Sequence, residues 1–245
     1  MPVLLHSDVG LVKGVGFDSW RRVGTAMPAV KVYNLREVDE LVFLDIRATR
    51  DGRAVDIGIV EDIAGECFVP LTVGGGVRSV DDVRRLLMAG ADKISINTAG
   101  VIEPALIGRV ADRFGSQCVV VSVDARLQAD RYEVWTHAGT VRTGLDPVEV
   151  CVAVEAMGAG EILITAIDRD GTMSGYDIEL VRLVAGAVKI PVIASGGAGT
   201  YEHMARVLEE TKATAVAAAS MFHFTEQTPR EAKRFLAKRG FAVRL

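Results

Sequence analysis

Val69-Pro70-Leu71-Thr72-Val73-Gly74-Gly75-Gly76 returns as Ile190-Pro191-Val192-Ile193-Ala194-Ser195-Gly196-Gly197, each position displaced by 121 residues. Glu40-Leu41-Val42 returns as Glu161-Ile162-Leu163 at the same displacement. The displacement is close to half of the 245-residue chain, so the sequence reads as two similar halves, about 1–117 and 118–245. Each repeated stretch is a short apolar run that ends in glycines. That pattern suits a buried parallel strand followed by a tight turn into a helix.

Working outward, eight such runs are expected as strands: Val3–Leu5, Glu40–Ile46, Phe68–Val73, Lys93–Asn97, Cys118–Asp124, Glu161–Ile167, Pro191–Ala194 and Ala215–Ala219. Segments of helical period lie between them: Pro28–Arg36, Val55–Ile63, Ser79–Ala89, Pro104–Phe114, Pro147–Met157, Ile178–Ala187, Tyr201–Glu210 and Pro229–Arg239. Ser79 stands where a cap is needed, and Asp146-Pro147 puts proline at a first helical position. A βα unit takes roughly 30 residues, and eight of them close a (β/α)8 TIM barrel. The expected α/β architecture is one such barrel over 1–245, built from two (βα)4 half-barrels. An open doubly wound sheet is the alternative.

Composition narrows the function classes. The net charge of −4 argues against a nucleic-acid partner, which needs a clustered basic surplus. No apolar run reaches the ~18–20 residues of a membrane span, and the N-terminus lacks the basic and apolar regions of a signal peptide. Cys67, Cys118 and Cys151 are an odd, scattered set, as expected of thiols in a reducing cytoplasm. His6, His137, His203 and His223 show no metal-ligand spacing, so neither a metal nor another cofactor is expected.

The two glycine loops have a plain reading, a turn that needs positive φ. They also have a chemical one: glycine lets backbone N–H groups approach a phosphate. Two loops in matching places predict two phosphate sites, Gly75 and Gly76 with Asn97, and Gly196 and Gly197 with Ala219 and Ser220. Asp124 closes the run Val119–Val123 on the rim where such barrels do chemistry, with a cap as the plain alternative. Asp45 and Asp168 close two other runs. Asp45, Thr165, Asp170 and Ser195 are expected to line the substrate pocket. Lys13, in Gly10-Leu11-Val12-Lys13-Gly14, is either an anion clamp in a mobile loop or a solvated charge. Asp39, Glu40, Lys93 and Glu161 stand at the opposite strand ends, where a salt-bridge ring or a polar gate is expected. Residues 132–136 and 140–143 flank Ala138-Gly139 as a hairpin inserted after the fifth strand.

Asp39-Glu40-Leu41-Val42-Phe43-Leu44-Asp45, Gly90-Ala91-Asp92-Lys93-Ile94-Ser95-Ile96-Asn97, Asp168-Arg169-Asp170-Gly171-Thr172 and Ile193-Ala194-Ser195-Gly196-Gly197-Ala198-Gly199 carry a specific resemblance. Over nearly its whole length the chain resembles the cyclase subunit of imidazole glycerol phosphate synthase. The resemblance implies a barrel that receives ammonia from a glutaminase subunit, its heterodimer partner, docked on the N-terminal face. Ammonia would pass up the axis to a bisphosphorylated ribulosyl substrate. Cleavage and ring closure would then yield imidazole glycerol phosphate and an aminoimidazole-carboxamide ribotide. By the same resemblance Asp124 matches a catalytic aspartate and Lys13 the catalytic loop lysine. Glu40, Lys93 and Glu161 match the ammonia gate, and Asp39, Asp92 and Gln117 the glutaminase interface.

Two departures stand out. The family's first-strand aspartate aligns with Leu5, which cannot transfer a proton, and no gate arginine precedes the first strand. Pro2-Val3-Leu4-Leu5, Ile63-Ala64-Gly65-Glu66-Cys67-Phe68 and Gly171-Thr172-Met173-Ser174-Gly175-Tyr176-Asp177 look more like a sister group. That group is associated with sugar amidation in surface-polysaccharide loci, where the barrel would supply ammonia to a separate sugar amidotransferase. Three readings follow: an ammonia-supplying paralogue, a true histidine-pathway cyclase, and a barrel that only activates a glutaminase.

Overall fold

The computed structural model describes residues 1–245. The first half contains β1 (Val3–Ser7), β2 (Gly10–Val15), β3 (Asp18–Gly24), α1 (Ala26–Leu35), β4 (Leu41–Asp45), α2 (Ile57–Glu66), β5 (Leu71–Gly74), α3 (Val80–Met88), β6 (Lys93–Ile96), α4 (Thr98–Ile102) and α5 (Ala105–Phe114). The second contains β7 (Val119–Gln128), β8 (Arg131–Thr136), β9 (Val141–Arg142), α6 (Pro147–Ala156), β10 (Glu161–Ala166), α7 (Ile178–Ala187), β11 (Val192–Ser195), α8 (Tyr201–Glu210), β12 (Ala215–Val216), α9 (Ser220–Phe224) and α10 (Pro229–Lys238).

Parallel pairing runs β1-β4-β5-β6-β7-β10-β11-β12. The ring closes through a parallel bridge between Pro2 and Ala218, with Val3 N donating to Ala218 O at 3.0 Å. This is a (β/α)8 barrel. Alternate side chains explain why its strands are so apolar. Leu4, Phe43, Val73, Ile94, Val121 and Ile164 face the helices, while Val3, Leu5, Val42, Val120, Leu163 and Ile193 pack inside the ring.

The repeat holds element by element. α1 and α6, α2 and α7, and β5 and β11 each begin and end 121 residues apart. The register extends the correspondence to β1 and β7. Leu5 lies opposite Leu44, Asp124 lies opposite Thr165, and Leu44 and Thr165 are themselves 121 apart. Leu5 is therefore the structural mate of Asp124. Each half also carries a hairpin after its first strand, β2–β3 and β8–β9.

Some expectations need correction. The segment around Lys13 is not a mobile loop but strand β2, paired with both β1 and β3. Asp124 does not end its strand, because β7 runs on to Gln128 by pairing with β8. The eighth strand is shorter than 215–219 and covers Ala215–Val216. Helix starts agree with their caps: Ser79 Oγ accepts from Asp82 N, and Asp146 Oδ1 accepts from Val148 N at 2.7 Å. No helix is long and apolar enough to cross a membrane.

Candidate active site at the C-terminal mouth

The ends of the eight strands surround one cavity. Its lining includes Leu5, Lys13, Asp45, Gly75, Asn97, Asp124, Thr165, Asp170, Ser195, Gly196, Gly197, Ala219 and Ser220. Phe17 and Trp20 of the β2–β3 hairpin, and Ala138 of the second hairpin, roof it. The two hairpins touch, since a side chain at Gly139 would strike the Phe17 ring.

Asp124 is buried on the inner face of β7. Asn97 Nδ2 donates to its Oδ2 at 2.9 Å and to the Ser122 carbonyl at 3.0 Å. Burial pushes the Asp124 carboxyl up to about 7; the hydrogen bond from Asn97 opposes the shift, the nearby Asp170 charge adds to it, and Thr165 opposes it. A carboxyl that titrates near neutrality can donate or accept a proton at working pH. At the equivalent position of the first half stands Leu5, so the cavity holds one such group and not a facing pair.

Lys13 is only 2% exposed, which overturns the reading as a solvated charge. Its Nζ contacts Asp170 Oδ2 at 2.5 Å, 157 residues away in sequence. The pair fixes the hairpin to the loop after β10, and Gly16 N donates to Asp170 O at 2.9 Å beside it. Asp45 lines the cavity with its carboxylate already engaged. It accepts from Arg47 N, Ala48 N and, at 2.6 Å, from Arg53. Asp168 turns to the strand extension instead, accepting from Leu127 N and pairing with Arg126.

The glycines of both loops adopt positive φ, +65° at Gly76 and +103° at Gly197. A Cβ at either would lie 2.1 Å from a carbonyl oxygen, so only glycine fits. The amides of Gly75, Gly196, Gly197 and Ala219 donate to no protein acceptor. Gly76 differs: its amide donates to Thr49 Oγ1 at 3.2 Å, and the residue is not part of the cavity lining. Sequence reasoning missed Thr49, Phe17 and Trp20. They lie in a loop and a hairpin whose packing partners are remote in sequence.

At the opposite face, Lys93 Nζ sits between Glu161 Oε1 at 2.6 Å and Glu40 Oε2 at 2.9 Å. Burial works against the Lys93 charge, but the two carboxylates outweigh it and hold the ammonium above the ordinary lysine range. Asp39 pairs with Lys233 and Arg244 of its own chain, Asp92 caps Leu71 N at 2.8 Å, and Gln117 donates to Phe114 O. All three residues therefore have internal structural work.

The family model described as "Histidine biosynthesis protein" matches residues 5–228. The chain belongs to that family.

Proposed function

We propose that this member of the histidine biosynthesis family takes ammonia from a glutaminase at its N-terminal face and supplies it for sugar amidation by a separate amidotransferase. The observation that carries the reading is the contrast between the two faces. Glu40, Lys93 and Glu161 are joined in one ion-paired cluster, while Leu5 stands where a second proton-transfer group would face Asp124. Ring closure needs protons moved at two positions of the substrate. A single carboxyl serves that poorly, since loss of one general acid or base costs about 10²–10⁴ in rate.

A second reading, a working cyclase that makes imidazole glycerol phosphate, is favoured by Asp124. Its carboxyl titrates near neutrality, and the glycine loops beside it suit a phosphorylated substrate.

An ammonia-driven assay on the family's ribulosyl substrate separates the two. The wild type is expected to turn over weakly, and Leu5→Asp to raise the rate by up to about 10²–10⁴. The unpaired new carboxylate would reduce stability, so melting must be followed beside rate. Full wild-type turnover abolished by Asp124→Asn would establish the cyclase instead.

A further inference from the structure

Asn97 stands at the N-cap of α4, yet its side chain makes no capping bond. Asparagine is among the preferred caps, so the forgone bond points to another use. Both ends of the amide are engaged elsewhere. Nδ2 donates to Asp124 Oδ2 at 2.9 Å and to the Ser122 carbonyl at 3.0 Å, and Oδ1 accepts from Thr98 Oγ1 at 3.2 Å. Thr98 Oγ1 in turn accepts from His137 N at 3.0 Å. His137 and Ala138 belong to the tip of the β8–β9 hairpin, where both hold left-handed backbone, at φ +52° and +54°. Thr98, Asn97 and Asp124 all line the mouth cavity.

The donor and acceptor character of each group sets the direction of every link. A backbone N–H only donates, so Thr98 Oγ1 accepts from His137 and its one hydrogen goes to Asn97. The Ser122 carbonyl only accepts, so the NH2 end of the Asn97 amide faces it and the oxygen end faces Thr98. Asn97 is thereby left able to donate to Asp124 and unable to accept from it.

The other half of the barrel supplies the comparison. α4 and α9 are both five residues long, and each is preceded by a residue of irregular backbone, Asn97 and Ala219. Val121 of β7 pairs with Ile96 before α4, as Pro2 bridges to Ala218 before α9. Ala219 and Ser220 therefore hold the places beside Leu5 that Asn97 and Thr98 hold beside Asp124. Ala219 has no side-chain amide, and Ser220 Oγ has no partner. The chain of hydrogen bonds is present beside the carboxyl and absent beside its apolar mate.

We propose that Thr98 is a positioning residue for Asp124. Held by the His137 amide, its hydroxyl fixes the Asn97 amide as a donor to Oδ2, which leaves Oδ1 as the atom that gains and loses the proton. Thr165, opposite Asp124 on β10, carries a hydroxyl that donates or accepts as required, and Asp170, paired with Lys13, is the charge that acts on the carboxyl. The inference rests on reading Asp124 as the proton-transfer group and is independent of ammonia delivery.

The test is a carbon-13 NMR titration of the Asp124 carboxyl in the full chain. The signal is assigned by its loss in Asp124→Asn, and the amide spectrum of each variant checks its folding. Asn97→Ala removes a donor to the carboxylate and should raise the midpoint by about one pH unit. Thr98→Val removes the hydroxyl at constant shape and should raise it by about half a pH unit. Thr98→Ser should stay at the wild-type midpoint. In the Asn97→Ala background Thr98→Val should add nothing, because its effect passes through the amide. Thr98→Ala repeats the measurement should valine disturb the packing. A midpoint unmoved by both Thr98→Val and Thr98→Ala, an equal rise in Thr98→Ser, or a full further rise in the Asn97→Ala background would each overturn the proposal. Asn97 side-chain amide signals that lose their hydrogen-bonded shift when Asp124 is protonated would place the proton on Oδ2 and overturn the assignment of Oδ1. The titrations use no glutaminase, ammonia or sugar, so a failure of ammonia supply would leave them untouched.

Discussion

Asp124 makes the stability of this protein depend on pH in an unusual direction. An ordinary aspartate titrates near 3.8, and this one is held up to about 7 by burial. Between those values the unfolded chain has released a proton that the folded chain still binds. Stability is therefore fully present below about pH 4, falls as pH rises toward 7, and levels off above it. Asp124→Asn has no such proton, so the variant should gain on the wild type by up to a few kcal/mol at pH 8 and by little at pH 4. Urea unfolding of both proteins at the two pH values checks this, and a gain that is equal at both would rule the account out. The rim position of Asp124 was legible in the sequence, because a carboxylate that closes a run of four valines and a serine announces itself. The burial of Lys13 was not. Its partner Asp170 lies 157 residues away, and no local pattern records such a contact.

At the scale of elements, that pair ties the β2–β3 hairpin to the loop after β10. A buried ammonium left alone costs about 3–5 kcal/mol, so Asp170→Ala should destabilise the chain by that order, and Asp170→Asn by less. The hairpin tip, where Phe17 and Ser19 hold left-handed backbone, should also become the first site of limited proteolysis. Cleavage elsewhere first would show that the hairpin is held by its strand pairing alone. The hairpin escaped sequence reading because Gly10, Gly14 and Gly16 look like loop residues. At Gly14 a Cβ would lie 2.0 Å from the Asp18 carbonyl, so glycine marks a close strand crossing. The second hairpin was legible, since β-branched and aromatic residues flank a compact turn. Helix positions were legible for a similar reason: caps such as Ser79 and Asp146 act within one turn.

At the scale of the whole molecule, the ring at the N-terminal face ties the halves together, with Glu40 and Lys93 from one and Glu161 from the other. Lys93→Met would leave two partly buried carboxylates facing each other. A loss of ~1–3 kcal/mol is expected, and adding Glu40→Gln should recover part of it. Denaturant midpoints of the single and double variants measure both, and an undiminished loss in the double variant would mean that Lys93 matters for packing and not for charge. The barrel itself was legible because its repeat is written in sequence at a constant interval. The unequal state of the Gly76 and Gly197 amides was not, because Thr49 reaches Gly76 from 27 residues away.

Matched halves give a protein a spare. Whatever one copy does at the rim, the other can stop doing without loss of the scaffold. Here the two copies differ: Leu5 and the occupied Gly76 amide fall in the leading copy. Asp124, three of the four open amides and Ser220 fall in the trailing one. The proton-transfer group stands in the trailing copy alone, while both copies line the mouth. Saturation mutagenesis scored separately for folding and for proton transfer should therefore find Asp124 essential to the second score and Leu5 answerable only to the first.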